Sequence, residues 1–138
     1  MRNVVILVAC SSLMLMLNKP YTAAAQEVVL TSGQLEYQQY CASCHGRDGK
    51  GGGAMADLLR VAPADLTQLS KKHGGQFPFW RIYGTIDGRE AVMAHGTRTM
   101  PVWGAHFLTE AGGQPLDEQR VIGRILALVY YLESLQVK

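Results

Sequence analysis

The chain has 138 residues, enough for one domain and not two. Its formal charge is +2, from 13 Lys and Arg against 11 Asp and Glu, and it contains no basic run. That balance excludes the electrostatic footprint of a nucleic-acid-binding protein, and three cysteines cannot all pair with one another.

The first 25 residues have the order of a secretory leader. Met1-Arg2-Asn3 is a short basic start, Val4 to Leu17 is an uncharged and mostly apolar run, and Ala23-Ala24-Ala25 supplies an A-x-A site. The apolar run is 14 residues long, whereas a helix needs about 20 to span a bilayer. A cleaved signal peptide over residues 1–25 is therefore expected, leaving a mature domain of residues 26–138 with no membrane span. Leu7-Val8-Ala9-Cys10 is similar to a lipobox, but it comes very early and the A-x-A site lies downstream, so lipidation at Cys10 is the lesser reading. Cleavage removes Arg2, Lys19 and Cys10. The basic count then falls from 13 to 11, equal to the acids, and only Cys41 and Cys44 remain.

Thr31-Ser32-Gly33-Gln34 predicts a helix start, with Thr31 and Gln34 as a capping box. Leu35, Tyr37, Tyr40 and Cys41 then share a broad face. Gly46 to Gly53 holds five glycines and predicts irregular backbone. It does not match the P-loop pattern, because Gly51 follows Lys50; a backbone passing close to a cofactor explains the glycines better. A short helix is expected after Asp65 as N-cap, ending at Gly74-Gly75 with His73 capping carbonyls. Another starts at Phe77-Pro78 and stops near Asp87-Gly88. Residues 89–113 lack periodicity and read as a long loop. Pro115 to Gln136 is the strongest helix, with Val121, Ile122, Ile125, Leu128, Val129, Leu132 and Leu135 at helical spacing. No strand pattern is convincing. An all-α chain with loops this long has little core of its own, and a large buried cofactor would supply one.

Cys41-Ala42-Ser43-Cys44-His45 names that cofactor. Two thiols at this spacing can add to the two vinyl groups on one edge of haem, and the adjacent His can place a ring nitrogen under the iron; C-x-x-C-H is the c-type attachment signature. A zinc site would need a second ligand pair, and a thiol redox motif would sit in a βαβ unit; neither is visible. The second axial ligand comes from Met55, Met93, Met100, His73, His95 or His106. Met100, followed by Pro101, lies in the aperiodic segment 55 positions after His45 and is singled out, with His95 next. Met55 and Met93 read as core filling. Arg98 and Trp103, near Trp80 and Tyr83 as candidates for the haem surroundings, are either donors to the haem propionates or a solvated Arg and a core Trp. Lys71-Lys72 reads as solvated surface, and His106 has no evident partner.

With these residues in place, the chain resembles a class I c-type cytochrome, monohaem and of the bacterial periplasmic type. The resemblance runs from the helix leading into Cys41-to-Gly46, through the glycine loop and Met100-Pro101, to the last helix. It implies an all-α, small cytochrome c fold of three to five helices wrapped around one covalently attached haem c. Cys41 and Cys44 would be the thioether sites, and His45 and Met100 the iron ligands. It also implies that the first and last helices cross, Leu35-to-Tyr40 against Ile125-to-Leu132, with Gly123 aiding close approach. Arg98 to Gly104 is similar to bacterial monohaem cytochromes that serve periplasmic oxidoreductases.

Iron closed by His and Met has no open position for a substrate, so the expected function is electron transfer and not catalysis. Expected partners are a periplasmic dehydrogenase as donor and a terminal oxidase or another cytochrome as acceptor. Two alternatives are a tightly held haem subunit of a periplasmic oxidoreductase, of the sulfite-oxidising kind for example, and a ligand-binding haem sensor or peroxidase-like protein.

Overall fold

The computed structural model describes residues 19–89 and 100–137, with side chains from Thr22 onward. The apolar leader, Cys10, Met93, His95 and Arg98 lie outside the described residues. The described residues form α1 (Lys19–Tyr40), α2 (Ala42–His45), α3 (Leu69–Lys72), α4 (Phe79–Asp87), α5 (Trp103–Ala111) and α6 (Glu118–Ser134), with single 3₁₀ turns at Ala56–Leu58, Leu66–Gln68 and Pro115–Asp117. Among the described residues there is no strand, and no helix is long and apolar enough to cross a membrane. Four helices exceed one turn, in keeping with the expected all-α class.

The most extensive contact is between α1 and α6, and α4 and α5 pack against α6. Gly33 marks the crossing. A Cβ there would collide with the carbonyl oxygen of Ala127 and lie 2.8 Å from Cβ of Tyr131. The bare α-carbon therefore lets the two backbones touch. Gly123, expected to serve this purpose, has open space around its α-carbon; it lies about one turn before Ala127, and no neighbouring backbone approaches it. Tyr37, Phe107, Val121, Ile125 and Val129 are fully buried, with Leu128 nearly so. Leu35, expected on the same face, is 66 % exposed and Ile122 is 38 % exposed. The i, i+4 step from Gly33 to Tyr37 sets the buried stripe, and Leu35 falls outside it.

Two boundaries differ from the sequence expectation. No helix starts at Thr31, because α1 already runs from Lys19; the alanines before Gln26 are strong helix formers and nothing between Thr22 and Leu30 breaks the turn. Thr22 to Val29 is exposed throughout, so that stretch rests on propensity and not on packing. The expected loop of residues 89–113 contains α5. Trp103, Phe107 and Ala111 recur at four-residue spacing, Thr109 bonds back to the Ala105 carbonyl at 2.9 Å, and Gly112, with φ of 119°, ends the helix. The other signals hold: Asp65 accepts from the Thr67 amide at 2.8 Å, Gly88 ends α4 with φ of 70°, and the His73 ring donates to the Leu69 carbonyl at 2.8 Å.

Candidate haem site

Cys41 ends the register of α1, and Ala42–His45 forms one further helical turn after it. The Cys44 and His45 amides bond to the Cys41 carbonyl at 3.2 and 2.9 Å, so the two cysteines and the histidine occupy a single turn. Gly46 then reverses the chain with φ of 78°, and Tyr37, from inside α1, donates to its carbonyl at 2.6 Å. The glycine loop folds back on this turn through Gly51 N to His45 O at 2.7 Å, Gly53 N to Cys44 O at 3.1 Å and Met55 N to Ser43 O at 2.8 Å. A Cβ on Gly53 would collide with the Ser43 carbonyl, and one on Gly51 with that of Pro63. The glycines thus bring backbone against the turn carrying Cys44 and against the Pro63 strap.

The strap orients His45. Its Nδ1 lies 3.0 Å from the carbonyl oxygen of Ala64. A carbonyl only accepts, so Nδ1 carries the proton and Nε2 keeps its lone pair for a metal. This is the arrangement by which a second partner fixes tautomer and ring direction of a ligating histidine. Sequence reasoning missed Ala64, since a backbone acceptor leaves no side-chain signature; Pro63 beside it was the only cue.

Cys41 and Cys44 are free thiols, both half-buried. Burial, with Glu36 and Cys44 adding to it, pushes the Cys41 thiol up to about 12. A dithiol redox centre relies on a lowered thiol pKa, and burial of Cys41 acts in the opposite direction. Among the described residues no cluster of His, Cys, Asp and Glu could hold a metal ion by itself. The donors present are two thiols and one oriented imidazole on one turn. They suit a planar group joined along one edge and ligated from below.

A match to known families decides the class. The family model described as cytochrome C oxidase, cbb3-type, subunit III matches residues 29–112, more than half of the chain. The chain belongs to this family of c-type cytochromes. It is an electron-transfer haem protein, with haem iron as its cofactor. The resemblance to class I monohaem cytochromes is thereby borne out. No curated protein and no solved structure matches the chain.

Other expected site residues of the cytochrome sort clearly. Met100 is half-buried and packs against the central core, as do Cys41, Ala42 and Trp103. Trp103 stands edge-on to Tyr40 and His106, with ring centroids 5.6 and 5.5 Å away. Met55 is 44 % exposed and does not fill the core; it caps a 3₁₀ turn on the surface. Trp80 is 73 % exposed against Phe79 and Tyr83. His106 does have partners: its Nε2 lies 3.2 Å from Glu110.

Sequence reasoning also missed a partly buried brace between three helices. Arg124 of α6 makes two 2.8 Å hydrogen bonds to Glu36 of α1 and one of 2.9 Å to Glu110 of α5. Its guanidinium lies 3.9 Å from the centroid of the Phe107 ring, and Tyr40 donates to Glu110 at 3.0 Å. Glu36 and Glu110 sit in exposed-looking sequence contexts, so only the helix crossing reveals the trio.

Proposed function

We propose that the protein is a single-haem electron carrier of the periplasm, exported by a signal peptide cleaved after Ala25. Cys41 and Cys44 would hold haem c by two thioether bonds, and His45 and Met100 would ligate its iron. The haem iron, once bound, supplies a one-electron couple. The chain does the rest. The Ala64 carbonyl keeps the His45 ring in one tautomer and raises its basicity. The Met100 thioether, as second ligand, would leave no open position for a substrate and would raise the reduction potential. Trp103 and Arg98 would be the donors to the haem propionates. The core around Tyr37, Phe107 and α6 is fully buried and close-packed, which leaves little room for rearrangement when the charge changes. The observation carrying this reading is the His45–Ala64 hydrogen bond within the C-x-x-C-H turn.

Donor and acceptor are a periplasmic dehydrogenase and a terminal oxidase or second cytochrome, met in brief encounters burying less than ~1,200 Å². A mature net charge of zero fits partners that recognise shape more than overall charge. A second reading is a tightly held haem subunit of a larger oxidoreductase. The family's description as an oxidase subunit favours it, and stable co-elution with a catalytic chain from native extract would establish it over the free carrier.

The test of the carrier mechanism is the far-red absorption band of thioether sulfur on oxidised haem iron. It should be present in the wild type and absent in Met100→Ala, whose reduced form should bind carbon monoxide. Met55→Ala and Met93→Ala should keep the band. A wild-type protein that lacks the band and binds carbon monoxide readily would be a ligand-binding haem protein instead.

A further inference from the structure

Asp87 is the only charged residue that is buried among those described, at 7 % exposure. It is also the last residue of α4, where the helix dipole disfavours an acid. Its surroundings offset both penalties. Arg89 donates to Asp87 Oδ1 from Nε at 2.8 Å, and the same guanidinium meets Glu118, at the start of α6, through Nη1 at 2.8 Å and Nη2 at 2.6 Å. The third side of this cluster is Gly104. A Cβ there would collide with the Asp87 carboxylate and stand 2.6 Å from Nε of Arg89. Gly104 lies in the first turn of α5, whose positive dipole end favours the carboxylate.

The place of this cluster in the chain gives it a role. Arg89 is the last described residue before residues 90–99, and Met100-Pro101-Val102 runs directly into Gly104. The cluster therefore fastens the two ends of the Met100 segment to each other and to α6. We propose that Asp87, Arg89, Glu118 and Gly104 form a clamp that positions Met100 on the iron. These are positioning residues: none need touch the cofactor, and each acts through the short run from Gly104 back to Met100. The inference rests on the assignment of Met100 as distal ligand. Loosening the clamp leaves haem, His45 and the helix crossing in place, and raises the fraction of molecules whose sulfur has left the iron.

That fraction is measurable, because an added ligand competes only in open molecules, and its apparent affinity scales with their population. The oxidised holoprotein is titrated with imidazole while the far-red band is followed. Arg89→Ala breaks charge-assisted hydrogen bonds to two carboxylates, so imidazole should bind about tenfold more tightly or better, with a weaker band before any imidazole is added. Glu118→Gln should give a smaller change in the same direction. Gly33→Ala serves as control, since it loosens the helix crossing without touching the clamp, and its imidazole affinity should stay at the wild-type value. Unchanged affinity and band in both Arg89→Ala and Glu118→Gln overturn the clamp, and if Arg89→Ala fails to fold, Glu118→Gln decides alone. A Met100→Ala protein that keeps the band defeats the ligand assignment instead, and the two failures are told apart by that variant.

Discussion

Replacing Gly33 by alanine adds one methyl group where the structure has no room for it. The new Cβ would collide with the Ala127 carbonyl oxygen, and would lie 2.6 Å from the carbonyl carbon and 2.8 Å from Cβ of Tyr131. Ordinary contact begins near ~3.4 Å, so α1 must move off α6 by roughly an ångström or more, an overpacking that costs about 1–3 kcal/mol. Alanine regains about 0.5–1 kcal/mol of backbone entropy in a helix, leaving a net loss of roughly 1–2 kcal/mol. Gly123, in the middle of α6, meets nothing within 4 Å. There the same substitution collects only the helix gain and should stabilise by about 0.5–1 kcal/mol. Urea denaturation of the holoprotein, with the slope unchanged, reads both numbers. The reasoning fails if Gly33→Ala is as stable as the wild type, or if Gly123→Ala is the more damaging of the two.

Tyr37→Phe removes a 2.6 Å hydrogen bond to the Gly46 carbonyl, which keeps the Gly49 amide at 3.2 Å as its remaining donor; the loss should cost about 0.5–1.5 kcal/mol in denaturant. It should also change the alkaline limb of the stability curve. Burial first, then the nearby Cys41, Tyr131 and Asp48, raise the Tyr37 pKa. Its stability contribution is therefore complete below the ordinary tyrosine value of about 10 and drains away as pH rises beyond it; the Phe variant should lose less stability above pH 10 than the wild type, and equal slopes would refute the assignment. Arg124→Lys keeps the charge but not the planar fork that meets Glu36 and Glu110 together. It should destabilise by roughly 1–3 kcal/mol, and thermal unfolding unchanged by the substitution would show the brace to be idle.

Much of the architecture was legible because periodicity and local stop signals agree with the tertiary packing. The last helix announces itself through seven apolar residues at helical spacing, and Asp65, His73 and Gly88 end or start helices by chemistry that depends on their immediate neighbours alone. The attachment turn is equally local, since Cys41, Cys44 and His45 owe their meaning to spacing. What could not be read depends on contacts between distant segments. Two glycines on facing helices have the same local sequence value, and only the crossing distinguishes Gly33 from Gly123. Helix α5 hid in a stretch that opens with Gly104 and carries aromatic residues of middling helix propensity, because its stability comes from packing on α6 and Tyr40. The Ala64 carbonyl, the Arg124 brace and the Asp87 cluster are pairings across 19, 88 and 29 positions at their widest, and no window along the chain contains them.

The crossing at Gly33 also sets a hierarchy of opening. It joins the two helices that bracket the attachment turn and the glycine loop, through the most extensive contact between elements. Amides of α1 near Tyr37 and of α6 from Val121 to Leu132 should exchange with solvent hydrogen only when the whole domain unfolds. Amides of the glycine loop are held by single turn bonds and should open many times before that happens. A substitution in the loop would then be felt locally, at the turn it covers, whereas one at the crossing would lower the protection of every slow amide together.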